Sequence, residues 1–580
     1  MRIKHFFGLA VIAAMTASCS SNNDLVNGGN GSGEVENGTA YASFKINLPT
    51  TTGGTRADDP KPGTPSFEHG TAAEYEVKNG TILIFDKDGK FVESADLGTM
   101  NPWTDVTENG VTTAAIATVK LTKVSVSGTD KYKALVLLNN NTADDVTKKV
   151  TLPTASTDTY AEWSKDISKV NAVNYAKTDG IFMANAPMYK GTTTEPTTLV
   201  DIKGVYASPE EAQAKPATTI YVERGLAKVT MKDFKTGGYS IGGGTYDGAT
   251  VKIEKWQLDV TNKSTYPVHQ IGGLSSATTG FADIWKTDRF YDQTSTAFKR
   301  VYWGIDPNYS DNKYYAGDAT TSPKKTALDC CKEAFNMITN NQVNGAAGEA
   351  NPQYCLENTF NLDNMMQGQT TRVVFKAVFT PKDFTGTDKT FYKIGNNTDI
   401  WTKANLEKQI KTVAVTAMGI TDPEEQGKYE VKLDAPTNNI SGEAGQHKIT
   451  ADNIKYTGTG TSKVDAAITA INDKLGLSDK VGISTYLNGE AYYIARIKHF
   501  NELTPWTAGT AYSSSNKDFL GRYGVLRNNW YELSVNKVSG LGYPDVPEVK
   551  PTLPDDENDQ YINVSVKILD WAKRSQSIDL

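Results

Sequence analysis

The chain has 580 residues, a net charge of −7 at pH 7 and an apolar fraction of 38%. This length predicts two or three domains, and the mildly negative charge gives no electrostatic basis for binding nucleic acid. Thr, Tyr, Gly, Asn and Val are abundant, as is typical of strands and turns. We therefore expect a mainly β protein with a few short helices.

Residues 1–19 predict a bacterial lipoprotein signal peptide. Arg2 and Lys4 precede an apolar run from Phe6 to Met15, and small residues then lead to Cys19. An apolar run of about 10 residues is too short to cross a bilayer core of roughly 30 Å. Cys19 is the predicted lipidation site, which would attach the precursor to a membrane through lipid.

Residues 20–56 predict a propeptide that contains one removable strand. A polar Gly/Asn/Ser segment is followed by alternating apolar residues, as in a half-buried strand. Those apolar residues are Ala40, Ala42, Phe44, Ile46 and Leu48. Arg56 is the only basic residue between Lys45 and Lys61. It predicts a trypsin-like cleavage site between Arg56 and Ala57.

Several central segments alternate as strands do, and one pair predicts a hairpin. Residues 81–85 and 90–92 flank an Asp-Lys-Asp-Gly turn. The Gly-rich run at 237–248 predicts a boundary between two β-sandwich domains, 57–236 and 237–543. Helices are predicted over 327–338 and from Ser462, where Asp465 three residues later resembles a capping box.

The sequence gives no sign of an enzyme, a cofactor or a metal site. The four histidines after the signal peptide are isolated from any triad or metal motif. Besides Cys19, the cysteines are Cys330, Cys331 and Cys355. With no histidine nearby, these three cysteines do not form a typical zinc site. They are interpreted either as buried thiols or as one disulfide between Cys355 and either Cys330 or Cys331.

The C-terminal region, 544–580, predicts a tether followed by a strand. Four prolines alternate with acidic residues between Pro544 and Glu557, which favours an extended conformation. The strand has its apolar residues on one face, at Ile562, Val564, Val566 and Ile568. Two interpretations remain open: a strand that docks elsewhere on an extended arm, or an edge strand that folds back on its own domain.

Three phrases resemble the fimbrillins, the major subunits of Bacteroidetes type V pili, in particular the major subunit of the short (minor) fimbriae. The first, at 300–309, reads Arg-Val-Tyr-Trp-Gly-Ile-Asp-Pro-Asn-Tyr. The second is Tyr-Cys-Leu-Glu-Asn-Thr-Phe at 354–360, followed by Thr-Arg-Val-Val-Phe at 371–375. The third is Tyr-Gly-Val-Leu-Arg-Asn-Asn-Trp-Tyr-Glu-Leu at 523–533. Looser similarity to the same family extends over most of the chain.

This resemblance implies two transthyretin-like β-sandwich domains and assembly by strand exchange. An outer-membrane lipoprotein precursor, lipidated at Cys19, would be cut at Arg56–Ala57 by an Arg-specific surface protease. The groove left by residues 40–48 would then accept the donor strand, Ile562 to Ile568, of the next copy. Expected partners are further copies of the subunit and accessory anchor and tip subunits, within cell-surface fimbriae that support adhesion and biofilm formation.

A second hypothesis comes from another functional class. The chain has nine Trp and 28 Tyr, which could form the binding face of a monomeric outer-membrane lipoprotein. Such a protein would act as an adhesin for glycan or protein. Filament formation separates the two hypotheses.

Overall fold

The computed structural model describes 14 parts of the chain. They are residues 39–49, 71–98, 104–105, 111–127, 131–142, 147–188, 196–215, 217–272, 301, 303–385, 388–433, 444–499, 520–555 and 562–570. For 562–570 only the backbone path and pairing are described. Cys19, Arg56 and Ala57 lie outside these residues.

The first unit is built on one large twisted sheet with short helices around it. Its strands are β1 Ala40–Pro49, β2 Gly80–Asp86, β3 Phe91–Asp96, β4 Thr104–Asp105, β5 Val111–Leu121, β6 Tyr132–Leu138, β7 Met183–Asn185, β8 Val200–Asp201 and β9 Thr218–Arg224. Its helices are α1 Ala72–Tyr75, α2 Tyr160–Trp163, α3 Ala172–Tyr175 and α4 Pro209–Ala214. The strand order is β3-β2-β6-β7-β9-β1-β5-β4, with β8 paired to β6. On one side of the sheet, β1 side chains share a core cluster with Ile82, Ile84 and Val136. On the other side, Leu83 and Leu135 belong to a second cluster that includes Trp163 of α2 and Tyr175 of α3.

The second unit is a sandwich of two four-stranded sheets. Its strands and helices are β10 Leu226–Met231, β11 Tyr239–Ser240, β12 Thr250–Asp259, β13 Thr261–Asn262, α5 Lys313–Ala316, α6 Ala327–Ala334, β14 Phe335–Asn336, β15 Gln353–Leu356, β16 Arg372–Thr380, β22 Glu490–Arg496, β23 Asn529–Val538 and β24 Ile562–Asp570. One sheet has the order β15-β10-β23-β24 and the other β11-β12-β16-β22. Alternate residues of both sheets, such as Val229, Leu533, Ile253 and Phe375, meet in a single core.

A mixed α/β lobe lies between β16 and β22, within the predicted C-terminal sandwich. It consists of β17 Phe391–Ile394, α7 Lys403–Ala417, α8 Pro423–Gly427, β18 Tyr429–Val431, β19 Gln446–His447, β20 Ile454–Tyr456, α9 Val464–Lys474 and β21 Ile483–Tyr486. Its core is separate, with Leu406, Ile410, Ala414 and Ile471 among its buried residues. Phe391 and Tyr486 stack at 4.6 Å between ring centroids and belong to the sandwich core, so they join the lobe to the sandwich.

The predicted mainly β class is confirmed, and the Asp-Lys-Asp-Gly hairpin is present as β2 and β3 with Gly89 at φ 81°. The change from the first sheet to the next falls at Gly225, between β9 and β10, because β10 pairs with β15 and β23. This is earlier in the chain than the boundary predicted at 237. The Gly-rich run instead connects β11 to β12 inside the second sandwich.

The helices differ in part from expectation. Helix α6 ends at Ala334, where the chain turns into the short strand β14 instead of continuing to 338. Helix α9 begins at Val464 after Lys463, and Ser462 Oγ accepts a hydrogen bond from the Val464 amide. In the part of the chain that the structure describes, no helix is both long and apolar enough to cross a membrane.

Candidate functional site

The removable-strand prediction falls on β1, which lies inside the first sheet rather than at its edge. It pairs antiparallel with β5 along its whole length and parallel with β9 from Phe44 to Asn47. A strand paired on both sides satisfies its backbone groups on both edges. Removing β1 would therefore leave two unpaired strand edges facing each other across an empty slot.

The core-facing side of β1 is fully buried. Ala40, Ala42, Phe44 and Ile46 are each 0% exposed, as alternation predicts for one face of a strand. The side chain of Leu48, the fifth predicted residue, is outside the described set. Burying Phe44 and Ile46 alone contributes about 1.5–3 kcal/mol each, so β1 is a substantial part of this core.

The opposite face of β1 is uneven in exposure. Ser43 and Asn47 are 6% and 2% exposed, whereas Tyr41 and Lys45 are half-buried. Ser43 Oγ lies 2.9 Å from Thr118 Oγ1 on β5, and helix α4 contacts both β1 and β5. Two buried positions of this face thus hold uncharged side chains, and the half-buried position of Lys45 holds a charged one.

The predicted donor strand is β24, and in the single chain it folds back on its own domain. It pairs antiparallel with β23 from Asn529–Asp570 to Val538–Ile562, at the end of its sheet. Of the two open interpretations, the isolated chain adopts the edge strand. An edge strand can leave without breaking a sheet in two, because it is hydrogen-bonded on one side only.

The segment predicted as an extended tether is docked where the structure describes it. Val546, Val549 and Asp555 are buried. Asp555 accepts a 2.8 Å hydrogen bond from Thr370 Oγ1, and the Pro547 carbonyl accepts one of 2.6 Å from Arg372 Nη2. Two of its carboxylates have partners in the sandwich, since Asp555 accepts from Thr370 and Glu548 lies 3.4 Å from Lys332 Nζ. Residues 556–561 lie outside the described set.

The three sequence phrases that resemble fimbrillins meet in one buried polar network near the junction of the two units. Glu357 of the second phrase accepts a 3.1 Å hydrogen bond from Arg527 Nε of the third. Asp306 of the first phrase accepts one of 2.7 Å from the Thr359 amide of the second. Side chains of each segment therefore hydrogen-bond to a residue of another segment. These contacts give the polar residues a structural role in holding the three segments together.

Asp306 is the centre of the first phrase's contacts. Its carboxylate also accepts hydrogen bonds from the Asn308 amide and from Asn262 Nδ2, both at 2.7 Å. Burial raises the pKa of Asp306 to about 7, although these donors favour the charged form. The same burial extends to Trp303 and Tyr309, whose side chains hydrogen-bond at 3.2 Å.

A second buried cluster connects the chain just after the predicted cleavage region to the second sandwich. Glu74 on α1 forms an ion pair with Lys228 on β10, with Nζ and Oε1 2.8 Å apart. The Tyr354 hydroxyl also donates to Glu74. The Lys228 ammonium lies 3.7 Å from the centre of the Trp530 ring, a cation–π distance. A mature chain beginning near residue 57 would keep this anchor.

The three described cysteines are free and buried. Cys331 donates a hydrogen bond of 3.2 Å to the Tyr314 carbonyl, while Cys355 lies in the sandwich core. Burial raises the pKa of the Cys331 and Cys355 thiols to about 12, so both are held as thiols. Of the two sequence interpretations, the structure has the buried thiols. Among the described residues no His, Cys, Asp or Glu side chains form a group able to hold a metal ion.

A C-terminal family model matches residues 484–577, and its description is major fimbrial subunit protein type IV, fimbrillin, C-terminal. The match includes β22 and β23, the third sequence phrase and the whole predicted donor strand. It confirms the resemblance seen in the sequence. Over residues 484–577 the chain is similar to the C-terminal region of fimbrillin-type fimbrial subunits.

Solved structures with similarity to this chain include fimbrial proteins of low identity. A fimbrilin (FimA) from Porphyromonas gingivalis W83 is 11% identical, with 92% of this chain and 99% of that chain covered and a TM-score of 0.33. The tip fimbrial protein Mfa3 from the same species, with a C-terminal truncation, is 11% identical over 92% and 100%, with a TM-score of 0.26. A candidate cell adhesion protein from Parabacteroides distasonis is 12% identical over 93% and 99%, with a TM-score of 0.37. No curated protein matches this chain.

Proposed function

We propose that this protein is a shaft subunit of a surface fimbria and that it polymerises by strand exchange after proteolysis. Cleavage between Arg56 and Ala57 releases β1 from the first sheet. The C-terminal strand of a neighbouring copy then takes its place, so that each subunit accepts one strand and donates another. The observation that carries the proposal is the position of β1, a strand that is paired on both sides, has a buried core-facing side and precedes Arg56 in the sequence.

Energetics support an exchange of this kind. The emptied slot presents unpaired N–H and C=O groups beside an apolar floor, and an alternating strand satisfies both by β-augmentation. Four apolar side chains at about 1.5–3 kcal/mol each give roughly 6–12 kcal/mol of gross burial before ordering costs. The contact is head-to-tail and need not close, which permits an open filament.

In this proposal the precursor is attached to a membrane before it is cleaved and assembled. Lipidation at Cys19 holds the chain at the outer membrane until an Arg-specific protease cuts it, and β1 keeps the slot filled during export. Anchor and tip subunits would terminate the filament at its two ends, and the finished fibre would serve adhesion and biofilm formation. A subunit with its own donor strand is suited to the shaft, because it can extend a chain.

The alternative of a monomeric adhesin with a Trp-rich face is not favoured by the described aromatic residues. Of the five described tryptophans, Trp401 is half-buried, and the other four are between 0% and 3% exposed: Trp163, Trp256, Trp303 and Trp530. Those four pack in the interior rather than forming a surface for glycan.

The test is R56A in the full-length protein expressed on cells. We expect an uncleaved, lipid-anchored monomer with residues 20–56 still attached and no surface filaments by electron microscopy. K61A removes the next basic residue along the chain and should process and assemble normally. Filaments at normal levels from R56A, with the propeptide intact by N-terminal sequencing, would overturn the proposal.

A further inference from the structure

The strand that leaves and the strand that arrives share a short sequence. Residues 42–48 read Ala-Ser-Phe-Lys-Ile-Asn-Leu, and residues 564–570 read Val-Ser-Val-Lys-Ile-Leu-Asp. Ser, Lys and Ile recur at the same places in the same order. Since a shift of one residue would reverse the two faces of the strand, this coincidence specifies a register.

We propose, resting on the strand-exchange function above, that the donor strand of a second copy enters the slot in the same direction as β1. Lys567 takes the place of Lys45, Ser565 that of Ser43 and Ile568 that of Ile46. The donor then runs antiparallel to β5 and parallel to β9, as β1 does.

The exposure along β1 limits where the donor's charges can go. If the donor moved two residues in either direction, Lys567 would take the place of Ser43 or Asn47, which are 6% and 2% exposed. Burying an ammonium without a partner is expensive. At Lys45, which is half-buried, the ammonium reaches water. A shift that placed Lys567 at Tyr41 in the same direction would bring Asp570 to Phe44, in the apolar core.

The other positions of this register keep the two faces of β1, except at the end of the strand, where Asp570 would replace Leu48. Ser565 would meet Thr118, replacing the hydroxyl pair that Ser43 makes at 2.9 Å. Ile568 would fill the site of Ile46, which is 0% exposed and lies opposite Ile220 on β9. Ile562 and Val564 would cover the sites of Ala40 and Ala42, which continue the same apolar face.

A reversed strand with Lys567 at Tyr41 is the arrangement that competes. It also puts Ser565 at Ser43, but it brings Asn563 rather than Lys567 to the Lys45 position. The partner of Lys45 on β5 is Ile116, whose side chain is 66% exposed. The residue of the donor that lies opposite Ile116 therefore differs between the two directions: Lys567 in one and Asn563 in the other. Because Ile116 is exposed, a substitution at this residue leaves the core intact.

Cysteine cross-linking between subunits tests both the exchange and its direction. Residues directly opposite in a sheet have Cβ atoms about 4.5–5.5 Å apart, within reach of a disulfide. In assembled fibres T118C/S565C should give covalent ladders on non-reducing gels, since both directions place these residues together. I116C/K567C should give ladders as well, and I116C/N563C should give at least ten-fold less.

The outcomes separate the inference from the function on which it rests. Ladders from I116C/N563C in place of I116C/K567C would overturn the proposed direction while leaving strand exchange intact. Fibres that assemble normally but give no ladder with T118C/S565C, nor with I116C paired to K567C or N563C, would overturn strand exchange at this slot. The single variants I116C and T118C serve as controls for linkage through the native buried thiols.

Discussion

At the scale of single residues, the polar groups buried at the junction explain why the sequence phrases have their particular residue types. Asn358 donates from Nδ2 to the Gln369 carbonyl at 2.7 Å and to Thr371 Oγ1 at 2.8 Å. Asn528 Oδ1 accepts from the Arg224 amide at 3.0 Å across the change of sheets. A buried amide that meets several fixed partners cannot be exchanged for an apolar group without leaving those partners unpaired.

The pKa of Asp306 leads to a prediction about pH. Its folded-state pKa of about 7 lies above its ordinary value of 3.8, so the folded chain binds this proton more tightly. The stabilisation is complete below about pH 4 and is lost as the pH rises through 7. D306N should therefore flatten the fall in unfolding free energy between pH 4 and 7, measured by urea denaturation.

The control for this prediction is D363N, which neutralises an exposed carboxylate and should leave the pH dependence unchanged. If D306N showed the same pH dependence as the unmodified protein, Asp306 would not be the group that titrates. The comparison uses the slope of the unfolding free energy against pH, so that a pH-independent loss of stability caused by the substitution does not affect the result.

At the scale of elements, β24 lies beside β23 in its own chain, and the proposed strand exchange would move it into a neighbour's slot. Ser534 and Ser565 are opposite each other in the first of these. S534C/S565C should form a disulfide that holds β24 in place. The oxidised variant should stay monomeric after cleavage at Arg56, and reduction should restore polymerisation.

Size-exclusion chromatography before and after reduction measures this effect. S565C alone should polymerise in both conditions, because it has no opposite thiol. Equal polymerisation of the oxidised double variant would show that β24 need not leave β23, and the donor assignment would then be wrong.

Comparison of the predicted and observed elements shows which of them local sequence patterns predict. Alternation predicted β1, the β2–β3 hairpin and β24, because period-two patterns are local. The longest described helix, α7, was missed although Thr402 caps it and Leu406, Ile410 and Ala414 recur every four residues. The N-cap and the four-residue spacing of apolar residues indicate a helix, but the β-rich composition of the chain favoured a strand prediction.

Other features depend on distant contacts that no local pattern encodes. The place of β1 inside its sheet comes from pairing with β5 and β9, which follow much later in the chain. The boundary at Gly225 likewise follows from β10 pairing with β23, a strand some three hundred residues away. The docking of the Pro-rich segment required partners such as Arg372 and Thr370, which sequence alone could not associate with it.

At the scale of the whole molecule, the proposed function places strand acceptance and strand donation at opposite ends of the chain. Deleting residues 561–580 removes the donor but leaves β1 and its slot unchanged. The variant should fold cooperatively and be cleaved, yet form no fibres alone. Mixed with intact subunits, it should shorten their fibres in proportion to its fraction, because it accepts a strand and offers none.

Fibre lengths by electron microscopy test this prediction. Deleting residues 571–580 alone keeps all of β24 and is the matched control, expected to assemble normally. Fibres of ordinary length from the larger deletion alone would show that another segment makes the connection between subunits.

The two-sided pairing of β1 has a mechanical consequence for a fibre built in this way. In the proposed fibre, a strand that replaces β1 would be hydrogen-bonded to β5 on one side and to β9 on the other, and tension transmitted through its backbone would pull it along its own axis. Its backbone bonds are then loaded together in shear rather than opened one after another. Resistance to force depends on the rate of unfolding rather than on equilibrium stability. A fibre of such subunits would hold under flow about as firmly as one of its own domains resists being pulled apart.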